Sequence, residues 1–183
     1  MIARRLACAV LLVGTVQVAA AGELYPLTVG SWWTYKVSGE NYTEATNRIA
    51  ESGLIGSKTW YRLIDHGETF WVRNGPEGQV EAMALFGTDA DQPVDALDET
   101  LVFKYPVSPG TVYPLGEAQQ VSVVGERTLT TGGREFTCIQ YVIEMDGDFA
   151  AQCITPGVGP VEIEVSAGGR RSVSRLVDYH IAP

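Results

Sequence analysis

Apolar positions along this chain alternate with polar ones in short runs and almost nowhere recur at helical spacing. Val161, Ile163 and Val165 point one way while Glu162, Glu164 and Ser166 point the other. Leu101, Phe103 and Tyr105 alternate in the same manner with Thr100, Val102 and Lys104. Near the C-terminus Val173, Val177, Tyr179 and Ile181 share an apolar face that Arg175 interrupts. A rim or bulge position suits this arginine better than the interior, because an unpaired buried guanidinium is costly. Turn residues separate the runs: Ser38-Gly39, Gly53, Gly56-Ser57, His66-Gly67, Asn74-Gly75, Gly132-Gly133, Asp146-Gly147 and Gly168-Gly169. This pattern predicts a meandering, antiparallel, all-β domain that buries one face of its sheet.

The pattern also reads twice, at an offset of about 80 residues. Tyr25-Pro26-Leu27, followed by Gly30-Ser31 and Trp33, returns as Tyr105-Pro106-Val107, followed by Gly110-Thr111 and Tyr113. Phe70 and Gly78-x-Val80-Glu81 return as Phe149 and Gly159-Pro160-Val161-Glu162. A repeated segment usually marks one supersecondary unit used again to complete a shared core. The expected halves cover about residues 25–87 and 105–166, joined by an acidic linker over 88–99. That linker holds Asp89, Asp91, Asp95, Asp98 and Glu99. It lacks the glycine and terminal carboxylate of a calcium loop, so it reads as a solvated acidic loop or a first helical turn.

Residues 1–21 read as a cleaved signal peptide. Arg4-Arg5 precede an apolar run from Leu6 to Val18, and Ala19-Ala20-Ala21 supply small residues for cleavage. The run is too short to span a bilayer, and Cys8 lies inside it in poor company for lipid attachment. No later stretch is apolar enough for a transmembrane helix. The mature chain, 22–183, fits a single domain. Its formal charge, −9 for the whole chain, becomes more negative still without Arg4 and Arg5. Such a surface opposes nucleic acid and anionic lipid, which require Lys/Arg neutralisation. Two cysteines survive cleavage, and an exported chain makes a Cys138–Cys153 disulfide the expectation. Asp146-Gly147 between them is a hairpin signal that folds the two thiols onto neighbouring strands.

Chemistry is sparse. The two histidines, His66 and His180, have no sequence-adjacent partner for a metal, and no nucleophile-elbow, phosphate-loop or dinucleotide motif is present. Neither metal nor cofactor is expected. A triad of a serine with His180 and Asp178 would require a coincidence of folding. The aromatics carry more. Trp33, Tyr35 and Val37 share one face of the first strand, and Trp32, Thr34 and Lys36 the other. Trp60 and Tyr61 lie on opposite faces of the third, and Trp71 lies on the fourth with Arg73. These rings suit core filling, a pocket for an apolar or amphipathic ligand, or a protein interface. Trp33, Tyr35, Trp60 and Trp71 are the candidate ligand-binding residues. Trp32 is left facing solvent, a partner or a covering layer.

Tyr25-Pro26-Leu27-x-x-Gly30-Ser31-x-Trp33-x-Tyr35 resembles the opening of a broad group of exported bacterial proteins. Gly133-x-x-Phe136-x-Cys138 and Gly157-x-Gly159-x-Val161-x-x-Glu164 resemble later motifs of the same group. The resemblance spans nearly the whole mature chain through short, glycine-rich motifs. It implies a strongly curved antiparallel half-barrel similar to the lipoprotein-carrier folds LolA and LolB, whose concave face takes acyl chains. The violacein-pathway protein VioE is an enzyme of similar fold. This chain has no lipidation site and no basic membrane-docking feature, so the carrier role does not transfer, and fold by itself does not license function. The expectation is a periplasmic or secreted, non-enzymatic β-protein holding a lipid-like or apolar small molecule on its concave face. Two alternatives stand: an envelope accessory protein binding a protein partner, and a cofactor-free enzyme.

Overall fold

The computed structural model describes residues 23–39, 44–83 and 99–183. Residues 1–21, read from the sequence as a signal peptide, and nearly all of the acidic stretch 88–99 lie outside them. The described residues form twelve antiparallel strands: β1 Trp32–Ser38, β2 Glu44–Ile55, β3 Lys58–Asp65, β4 Glu68–Gly75, β5 Gly78–Met83 and β6 Thr100–Lys104, followed by β7 Val112–Leu115, β8 Gln119–Thr131, β9 Arg134–Met145, β10 Asp148–Thr155, β11 Gly159–Ala167 and β12 Arg170–His180. No helix occurs among these residues, so none is long and apolar enough to cross a membrane.

All twelve strands belong to one sheet, ordered β6-β5-β4-β3-β2-β1-β12-β11-β10-β9-β8-β7. Each half is a meander whose neighbours in sequence are neighbours in space. The halves join where β1 pairs with β12. The sheet curls until its two edge strands, β6 and β7, meet along a seam that backbone pairing does not seal. Side chains bridge it instead. The Tyr113 hydroxyl on β7 donates to Val102 O at 2.8 Å and accepts from Lys104 N at 3.1 Å. The Tyr141 hydroxyl donates to Lys104 O at 2.8 Å. These bonds occupy backbone groups of β6 that would otherwise offer a template for another strand.

Curvature comes from β-bulges, each adding one residue to one strand and sharpening the local twist. Register shifts fall at Ala50 of β2, Val102 of β6, Val124 of β8, Val161 of β11 and Val177 of β12. The bulge at Val177 resets the face expected for the last strand. Ser174 and Leu176 are buried, and Arg175 lies outside, its Nε donating to Glu162 Oε2 at 2.8 Å. Gly53 lies within β2 opposite Trp60 rather than in a turn.

Burial divides into two main clusters. One gathers Tyr25, Leu27, Trp33, Tyr35, Ile49, Leu63, Val72, Phe136, Val161 and Leu176. The other gathers Leu24, Phe103, Tyr113, Val121, Val123, Ile139, Tyr141 and Ile154. Strand β9 serves both. Phe136 and Cys138 join the first cluster while Ile139 and Tyr141 join the second, and alternation puts those pairs on opposite faces. The strand therefore changes its buried face midway. At that crossing the Cys138–Cys153 disulfide joins β9 to β10, with Cα atoms 5.4 Å apart.

Candidate functional site

The sequence singled out Trp33, Tyr35, Trp60 and Trp71, and the fold places them in two separate pairs. Trp33 and Tyr35 leave β1 toward the turn between β10 and β11 and are wholly buried. The Trp33 ring N–H donates to Val158 O at 2.6 Å, and the Tyr35 hydroxyl donates to Pro160 O at 2.9 Å. Tyr25 packs edge-on against Trp33 at 4.9 Å between centroids. Gly159 makes this closeness workable, because a Cβ there would stand 3.3 Å from Trp33 Nε1. Trp60 and Trp71 belong to a third cluster with Val80, Ala82, Ile55 and Leu101. Trp32 lies on the outward face of β1, its ring 6.2 Å from that of His180.

Beside Trp60 the segment before β1 passes the ends of β3 and β4 and leaves a cleft of about 330 Å³. Glu23, Leu27, Tyr61, Thr59, Asn74, Lys58 and Arg73 line it. Asn74 Nδ2 donates to Tyr25 O at 2.9 Å and ties the segment to β4. The Arg73 guanidinium lies over the Trp60 ring, 5.3 Å from its centroid. Glu99, just ahead of β6, accepts from Lys58 Nζ at 2.5 Å and from Arg73 Nη2. Hydrogen bonds from Lys58 and then Arg73 hold the Glu99 carboxyl below its ordinary range. The cleft thus joins apolar Leu27 and Tyr61 to the cations Lys58 and Arg73, with Glu23 also in its lining. A second, open groove runs along β8, β9 and β10, and carries Glu117, Glu144, Asp146 and Asp148 with Phe149.

A partly buried polar group lies on the inner face nearby. The turn between β3 and β4 carries His66 and Gly67 at φ 49° and 88°, both in the left-handed region that suits a tight hairpin. His66 N donates to Asn47 Oδ1 at 3.0 Å, which fixes the turn against β2. Its Nδ1 stands 2.5 Å from Asp65 Oδ1 and its Nε2 stands 3.2 Å from Ser174 Oγ. The bond to Asp65 raises the His66 pKa against the lowering effect of burial. With the ring proton on Nδ1, Nε2 accepts from the serine, the order of a nucleophilic relay. Ser174 is 4% exposed and lines neither cleft, so the row's evident work is to tie the turn to β12. Burial first, then Asp65, pushes nearby Glu81 up to about 7. Burial likewise raises Tyr25 and Tyr35.

Sequence reasoning missed both groups for the same reason. Lys58, Arg73 and Glu99 are brought together by strand order, and Ser174 reaches His66 from the other half of the chain. Only the adjacent Asp65-His66 pair and the closeness of Arg73 to Trp71 were visible beforehand.

No family model matches the chain, and no curated protein matches it. Among solved structures it is similar to a candidate lipoprotein from Parabacteroides distasonis, with 13% identity over 88% of this chain and 100% of that one, at a TM-score of 0.48. It is also similar to a candidate exported protein with a YmcC-like fold from Bacteroides fragilis, with 13% identity over 87% of this chain and 99% of that one, at a TM-score of 0.45.

Proposed function

We propose that this is an exported, non-enzymatic β-protein that binds an amphipathic small molecule in the cleft between the segment before β1 and the ends of β3 and β4. One observation carries the reading: Leu27 and Tyr61 line the same concavity as Lys58 and Arg73, so an apolar body and a polar head find separate partners. Trp60 backs the arginine, and Trp71 packs in the cluster beside it. Trp33 and Tyr35 support the site by anchoring the β10–β11 turn and, through Tyr25, the segment that forms one wall. Export, to the periplasm or beyond the cell, rests on the sequence of residues 1–21.

The test is native mass spectrometry of the secreted, oxidised protein, followed by titration of tryptophan emission with short amphiphiles. A retained mass of a few hundred daltons and an emission change lost in Tyr61→Ser support the reading. No response across a panel of alcohols, acids and detergents rejects it.

A second reading is favoured by Trp32, partly buried on the outer face between Arg48 of β2 and His180 of β12. An aromatic flanked by an arginine and an imidazole suits a protein partner. A Trp32→Ala variant that retains every captured envelope protein removes that face from consideration.

A further inference from the structure

We infer that Lys58 and Arg73 form a carboxylate-binding site that the Glu99 side chain occupies until a ligand carboxylate displaces it. This rests on the cleft binding an amphipathic molecule and names that molecule's head. Glu99 precedes β6 at the sheet edge and reaches across β5 to β4 and β3. Its carboxylate is divided: Oε1 meets Lys58 Nζ at 2.5 Å while Oε2 meets Arg73 Nη2. Neither cation receives a two-pronged partner.

The arginine is held in place for one. The Trp60 ring lies beneath its guanidinium at 5.3 Å. Beside it is Gly75, where a Cβ would come within 3.1 Å of Arg73 Nη1. The Arg73 side chain is 16% exposed, against 49% for Lys58, and its Nε is buried with no hydrogen-bond partner among the described residues. A buried donor left unmade is costly. Glu99 satisfies Nη2 and leaves Nε orphaned. A carboxylate presented side-on to the guanidinium would bond Nε and Nη2 together, the fork geometry that makes arginine a carboxylate reader.

Both cations also line the cleft, so a molecule whose head replaces Glu99 lays its body against Leu27 and Tyr61. The volume is at the low end for ligand pockets and suits a short acid better than a long acyl chain. The whole chain carries a formal charge of −9, so Lys58 and Arg73 set a local positive charge in the cleft against that background and against Glu23 in the same lining. An internal carboxylate on the site reduces apparent affinity by the fraction of time it occupies it, and losing it restores that factor.

The experiment measures binding of octanoate and octanol to the oxidised mature protein, its Glu99→Gln variant and the Glu99→Gln/Arg73→Gln double variant, by calorimetry and tryptophan emission. The Glu99→Gln change should tighten octanoate about tenfold and leave octanol unchanged, and the second substitution should abolish the gain. Circular dichroism of each variant confirms the fold. If octanoate and octanol bind all three proteins alike, the carboxylate site is wrong and the cleft reading stands. If neither binds any of the three, the cleft reading fails and this inference fails with it.

Discussion

Replacing Glu81 with glutamine tests how the partly buried polar group on the inner face is held. Glu81 lies on β5 two residues from Gln79, whose Nε2 donates to Glu81 Oε1 at 3.1 Å. The carbonyl end of the same amide, Gln79 Oε1, is buried and has no hydrogen-bond partner among the described residues. A protonated Glu81 brings a donor to that neighbourhood and an ionised one does not. Burial, reinforced by the Asp65 carboxylate and opposed by the Gln79 bond, raises the carboxyl from 4.5 to about 7.

The folded state therefore holds this proton more tightly than the unfolded state does. Folding takes up a proton between 4.5 and about 7, and stability falls as pH rises through that interval. At about 1.4 kcal/mol per pKa unit, the displacement amounts to about 3 kcal/mol opposing folding above neutrality, with local relaxation reducing it. Glutamine cannot ionise. Urea unfolding of wild type and Glu81→Gln should coincide near pH 4 and diverge as pH rises, with the variant more stable by about 2–3 kcal/mol at pH 8. An offset that is constant across pH would assign the effect to packing. A variant less stable than wild type at pH 8 would refute the reasoning outright.

Three further outcomes follow from single contacts. Removing the disulfide by Cys138→Ala/Cys153→Ala frees a loop closed over a sequence separation of 15 and should lower unfolding free energy by about 3 kcal/mol, read by urea titration against the oxidised protein. Tyr113→Phe strips Val102 O and Lys104 N of their shared partner at the seam. It should cost about 1–3 kcal/mol and speed hydrogen exchange at the Lys104 amide more than in β1. Gly159→Ala adds a Cβ at 3.3 Å from Trp33 Nε1 where the backbone φ is +102°. It should cost about 1–3 kcal/mol and shift tryptophan emission as the bond to Val158 loosens.

Much of the strand pattern was legible because the chain announces its turns. His66-Gly67 and Asp146-Gly147 take positive φ in tight hairpins, as their residue types suggest. The first strand buries Trp33, Tyr35 and Val37 and turns Trp32, Thr34 and Lys36 outward or to the margin, as alternation predicts. The Cys138–Cys153 bond followed from the hairpin between the two cysteines. Bulges were not legible. An extra residue at Val177 moves burial from the expected Val173 and Val177 to Ser174 and Leu176, and nothing in the local composition marks the shift. Gly53 reads as a turn residue but lies across from Trp60 within a long strand. The cleft was invisible for a different reason: its cations and Glu99 come from three strands or their margins, and no period in the sequence links them.

The repeated motif makes its own prediction about the two turns that open β1 and β7. Gly30 N donates to Ile49 O at 3.0 Å, and Gly110 N donates to Val123 O at 2.7 Å. Ser31 N donates to Thr28 O, and Thr111 N to Ser108 O, at 3.0 and 3.2 Å. Ile49 N returns a bond to Ser31 O, and Val123 N to Thr111 O, at 2.9 and 2.8 Å. The bulges at Ala50 and Val124 each come one residue after that contact. Gly30 and Gly110 both take a positive φ, at 96° and 80°. If these turns are one local solution used twice, they should be interchangeable. Replacing Ser108-Pro109-Gly110-Thr111 with Thr-Val-Gly-Ser preserves every backbone bond and the glycine, and gives up only the rigidity of Pro109. The expected loss is under about 1 kcal/mol. Keeping the native residues but exchanging Pro109 and Gly110 puts a proline, whose φ is fixed negative and which lacks an N–H, where Gly110 donates to Val123. That variant should lose about 3 kcal/mol or more. Chemical unfolding of the two variants decides the matter: equal destabilisation would mean that the turns share a sequence pattern without sharing its physical cause.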